Sequence, residues 1–338
     1  MQPPPNPAGL AAAHPALAPG AALLRAAPRL SRRRATVLMV VFLVLFVAAT
    51  IVVALPLCVL AGVLSGTMLL TQVSIAACTS VTTVTGLGLT AGAALGTLVA
   101  FWVLRRWGGP NLQDVGLRCE ATWVRELVLG AALGPVVFAL VLATELALGW
   151  AQVERGTVGA GGLLLAALSF VGVAVNEELA ARGFLLRMFG RAWSPRVALI
   201  GSSLIFAVLH GGNPNVTPLA IAFLFVAGLA LAWGYFATGR LWLPIAFHWS
   251  WNLAQGPLFG FPVSGLDSAS VLAVNATGPA WATGGAFGPE AGILGLLAEA
   301  VAAVAILAWR RGDGSAAATA VVAVAGVAAL GWLLILAR

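Results

Sequence analysis

Apolar blocks, most of about 18 to 25 residues, recur from residue 36 onward, and a block of that length can cross a hydrocarbon layer of ~30 Å at ~1.5 Å per residue. They lie near 36–61, 84–104, 127–149, 161–189, 196–210, 217–236, 241–258, 291–309 and 317–337. Hydrophobic residues make up 61% of the 338 and charged residues only 9%, against about 25% charged in a soluble domain. Such a chain lacks the polar surface to dissolve in water. The expected fold is an all-α polytopic transmembrane bundle of about eight or nine spans. Residues 36–338 form a single membrane domain, and residues 1–35 a disordered, Pro/Ala-rich cytoplasmic tail.

The formal charge of +7 comes from 18 basic residues, all of them arginine. They stand singly or in short clusters beside apolar blocks, which points to lipid headgroups rather than nucleic acid as their partner. With the amino terminus inside, the inner loops receive Arg105, Arg106, Arg118, Arg125, Arg187, Arg191, Arg196, Arg240, Arg310 and Arg311, whereas the outer side receives Arg155 and Arg338. That asymmetry satisfies the positive-inside rule and predicts an integral protein of a bacterial plasma membrane with a cytoplasmic amino terminus. Cys58, Cys78 and Cys119 have no metal-binding spacing; Cys58 and Cys78 read as small packed hydrophobes.

An ionisable side chain deep in a bilayer costs roughly 2.5–3.5 kcal/mol on insertion scales, so each needs a reason. The fourth span carries Asn176, Glu177, Glu178 and Arg182; the fifth carries Phe206 and His210; the seventh carries His248 and Asn252. Glu178 and Arg182, four apart, share a helix face and can pair, which leaves Glu177 free to act elsewhere. Phe206 can wall His210, and His248 and Asn252 can present donors to one point. Counted from the nearest arginines at ~1.5 Å per residue, Glu177 lies about 15 Å deep, His210 about 21 Å, His248 about 12 Å and Asn252 about 18 Å. Three helices thus carry polar groups to one layer, with residues 161–258 as the catalytic core and a polar cavity expected to open to the cytosol. Trp102, Trp107, Trp242, Trp249 and Trp251 read mainly as interface anchors, with Trp249 and Trp251 flanking the site as alternative cavity-lining residues.

A carboxylate beside an imidazole can deprotonate water, and a second imidazole with an amide can hold a developing oxyanion. Glu177, His210, His248 and Asn252 are therefore the candidate catalytic residues, and Glu178, Arg182 and Phe206 their supports. Glu177, His210 and His248 could instead hold a divalent metal such as zinc; a metal or no cofactor both remain open.

The ordered set EExxxR (Glu177, Glu178, Arg182), FxxxH (Phe206, His210) and HxxxN (His248, Asn252) resembles the CPBP family of type II CAAX-prenyl endopeptidases and bacteriocin-processing or self-immunity (Abi) proteins. The resemblance covers residues 161–258. It implies a membrane bundle with a conical cavity open to the cytosol, Glu177 and His210 activating water, and His248 and Asn252 stabilising the oxyanion. The implied activity is hydrolysis of a peptide bond in a membrane-associated protein or peptide. An alternative is a non-catalytic immunity or sorting partner that binds a peptide in the same cavity. A proton-coupled transporter is disfavoured because no inverted repeat is visible.

Overall fold

The computed structural model describes residues 20, 24, 27–66, 81–112, 114–119 and 122–310. Eight long helices account for most of them: α1 (Arg32–Leu64), α2 (Val84–Trp107), α3 (Trp123–Ala147), α4 (Ala160–Ala192), α5 (Pro195–Gly212), α6 (Pro218–Thr238), α7 (Trp242–Leu253, continued by a π-helical turn Ala254–Leu258) and α8 (Ile293–Arg310). Among the described residues, all but α7 are long and apolar enough to cross a membrane, as an integral membrane protein requires. The span expected at 317–337 and most of the amino-terminal tail lie outside the described residues. From Pro28 onward the tail is tied down: Arg191 donates from Nε to the Pro28 carbonyl at 2.8 Å.

Small residues let the helices approach closely, as they must where lipid offers no hydrophobic drive to associate. On α2, Gly88, Gly92 and Gly96 recur every four residues. A Cβ at Gly92 would sit 2.5 Å from the Ala54 Cα on α1. On α3, Gly130 and Gly134 perform the same task against α7, and a Cβ at Gly134 would fall 2.2 Å from the Ser250 carbonyl carbon. That proximity lets Ser250 Oγ donate to the Gly130 carbonyl at 2.7 Å and accept from the Gly134 N–H at 3.1 Å. The helix that carries His248 and Asn252 is thereby fixed against its neighbour.

The two ends of the bundle differ. At the arginine-bearing end, Arg240 donates from Nε to Glu126 at 2.9 Å, Arg191 donates to the Gly108 carbonyl at 3.0 Å and Arg34 to the Trp107 carbonyl at 2.9 Å. At the other end, β1 (Ala151–Arg155) pairs antiparallel with β2 (Leu272–Ala276), and the Gly/Pro-rich segment 259–292 folds into short turns over the helix ends. Glu290 ties that segment together: Oε1 accepts from the Ser264 N–H at 2.6 Å and hydroxyl at 2.8 Å. Burial pushes the Glu290 carboxyl above its ordinary pKa, although the Ser264 and Gln255 donors oppose the shift. Cys58 is fully buried against Leu89, as a small packed residue should be, and is also disulfide-bonded.

Candidate active site

The polar groups of α4 separate as their spacing predicts. Glu178 Oε1 pairs with Arg182 Nη1 at 2.7 Å, both side chains fully buried. Arg182 also donates to the Gly228 carbonyl at 2.8 Å and lies 4.6 Å over the Phe206 ring. The pair carries a third member that helical spacing could not reveal: His248 Nδ1 stands 2.9 Å from Glu178 Oε1. A carboxylate bound to arginine can only accept, so Nδ1 carries the hydrogen and Nε2 faces the other way.

Glu177 points away from this cluster. Its Oε2 lies 3.8 Å from His210 Nε2 and 3.8 Å from His248 Nε2, has no hydrogen-bond partner, and belongs to a side chain 26% exposed. His210 is aimed by the same device as His248. Its Nδ1 lies 2.8 Å from the Phe206 carbonyl, an obligate acceptor, so Nε2 is the free lone pair turned toward Glu177. Phe206 flanks both imidazoles, at 4.8 Å from His210 and 6.2 Å from His248 between ring centroids. Asn252, one turn beyond His248, is buried and lines the same cavity. All seven residues singled out from the sequence thus come together.

The local backbone helps to make this possible. A π-helical stretch Leu179–Leu185 follows Glu178 directly, and another, Ala254–Leu258, follows Asn252. Such widened turns shift the register of all that follows and concentrate at functional sites. The cavity has a volume of about 470 Å³, in the range of ligand sites. The carboxylate oxygen and two imidazole nitrogens are the donor types zinc takes. Among the described residues, however, no group of three His, Cys, Asp or Glu stands at metal-holding distances.

Residues 158–254 match the family model described as type II CAAX prenyl endopeptidase, Rce1-like. That match supports, for this segment, a likeness to the CPBP/CAAX protease family. No curated protein and no solved structure matches the chain. The matched segment runs from the start of α4 into the turn after α7, so it contains the whole Glu, His and Asn set.

Other residues of the candidate site were only partly legible beforehand. Asn176 accepts a short hydrogen bond from Thr97 on α2 and lines the cavity; its place beside Glu177 was the only signal. Trp251 is buried against Phe138 and Phe247 and lines the cavity rather than anchoring an interface, whereas Trp249 donates to the Ala167 carbonyl at 2.8 Å. Glu290 and Glu299 also line the cavity, each with Oε2 unpartnered. Glu299 was visible as a lone charge in an apolar span; Glu290, in a Gly/Pro-rich stretch, gave no sign.

Proposed function

We propose that this chain is an intramembrane endopeptidase that hydrolyses a peptide bond of a membrane-associated protein or peptide, with Glu177 as general base. The observation that carries the reading is the convergence of one unpartnered carboxylate oxygen and two imidazole Nε2 atoms, at 3.8 Å each. That spacing leaves room for one water molecule accepted by Glu177 and steered by His210. Glu177 takes a proton as the water oxygen bonds to the scissile carbonyl carbon, and the carbonyl oxygen becomes an oxyanion. Asn252 offers its amide N–H to that oxygen. While the intermediate lasts, the proton taken from water can be shared between Glu177 and His248 Nε2, which makes that ring nitrogen a second donor until the proton leaves with the amine. Collapse of the intermediate breaks the C–N bond, and the proton held by Glu177 passes to the leaving amine.

Glu178 and Arg182 act by holding His248 and Phe206 in place. If a divalent metal is bound, Glu177, His210 and His248 would hold it, and it would make its water more acidic. Elemental analysis of active, chelator-treated protein separates the two cases: activity kept without stoichiometric metal supports the metal-free route, and loss restored by zinc supports the other. The main assignment is tested with purified protein in lipid vesicles and a membrane-peptide library. Glu177→Ala and His210→Ala should both abolish cleavage; variants that cleave as fast as the parent would refute the assignment.

A further inference from the structure

We propose that the cavity opens at the end of the bundle opposite the arginines, on the extracytoplasmic side, and receives exported or membrane-tethered peptide there. The lining supports this. Val81, Asn213, Val263, Ser264, Leu266 and Glu290 all line the cavity, and all belong to loops joining helix ends away from the arginines. His210 itself sits at the far end of α5, where Gly211 and Gly212 follow it, both exposed. A depth count made only from the arginines gives distance from the cytoplasmic face, not the direction of the opening.

The arginine end is closed beneath the site. Arg187, Tyr235, Leu186 and Leu241 are buried there, with Arg187 Nη1 donating to the Tyr235 hydroxyl at 3.3 Å, and none of them lines the cavity.

Orientation follows from charge. Among the described residues, Arg155 is the only arginine at the cavity end, where Glu154 and Asp267 accompany it. Arginine-rich short loops stay in the cytoplasm. A cytoplasmic prenylated carboxy terminus would meet the closed face. The substrate assignment rests on the protease reading; the orientation does not.

Two measurements test the proposal. In a Cys119→Ser background of the full chain, Gly212→Cys and Gly159→Cys place thiols at the cavity end, where an added Cβ at either position meets open space. On intact cells a membrane-impermeant maleimide should label both, whereas native Cys119 in the parent should react only after permeabilisation. The reverse pattern, or a Gly212→Cys thiol unreactive in both states, overturns the proposal. In the second measurement, peptides released to the medium are compared between wild-type and Glu177→Gln cells. Products lost from the medium support an outward-facing substrate, and products lost only from the cytoplasm overturn it. No difference in either compartment overturns the protease reading and the substrate assignment with it, while the labelling result still reports the orientation.

Discussion

The arginine end and the cavity end of this bundle treat charge in opposite ways. At the first, Arg240, Arg191 and Arg34 reach across helices to Glu126 or to backbone carbonyls. At the second, Glu177, Glu290 and Glu299 each leave an oxygen without a partner at the cavity wall. Buried polar groups in native proteins are normally satisfied, and in a bilayer the cost of leaving one unsatisfied is high. The difference lies in which partners are met, since Glu126 and Glu178 also keep one oxygen without a hydrogen bond. It is sharpest between neighbours: Glu178 Oε1 holds Arg182 and His248, whereas Glu177 Oε2 has only two imidazole nitrogens, 3.8 Å away.

The largest effects should come from breaking that contrast at the neighbouring glutamates. Glu177→Gln should cost about 10²–10⁴-fold in cleavage rate and leave the thermal midpoint near that of the parent. Arg182→Ala strands a buried carboxylate and should destabilise by about 3–5 kcal/mol, read by unfolding in detergent. Should Glu177→Gln unfold the protein, or Arg182→Ala leave it as stable as before, the division between working and holding groups is wrong. Next comes Asn252→Ala, expected to lower kcat by about 10²–10³-fold with little change in KM; a pure KM effect would reassign Asn252 to ground-state binding. Gly134→Ala should cost about 1–3 kcal/mol by overpacking against Ser250, and an unchanged stability would show that α3 and α7 can separate freely.

The smallest effect concerns Glu290. Burial holds its pKa above the ordinary value in the fold, so the folded chain binds this proton more tightly than the unfolded one. Its contribution to stability is full below the ordinary carboxylate range and is lost as pH rises toward the elevated value. Glu290→Gln should flatten that part of the stability curve, measured as the thermal midpoint against pH. A curve that keeps its slope in the variant assigns the dependence to another group.

Much of the architecture was legible because helices of a bilayer obey length and spacing rules. The placement of α4, α5 and α7, the Glu178–Arg182 pair and the Phe206–His210 contact all follow from period and motif alone. What stayed hidden depends on contacts between distant segments. Nothing at position 248 indicates that its ring bonds Glu178, and nothing at Thr97 announces Asn176. The turns of 259–292 follow no helical period, so neither Glu290 nor the turns it fastens could be foreseen.

Both imidazoles spend Nδ1 on acceptors that cannot move, the Phe206 carbonyl and the Glu178 carboxylate. Neither ring can flip to exchange its nitrogens without abandoning that anchor, so each has a single face for traffic. Any proton moved among these groups would then have to pass through Nε2 on each ring, the nitrogen that faces Glu177.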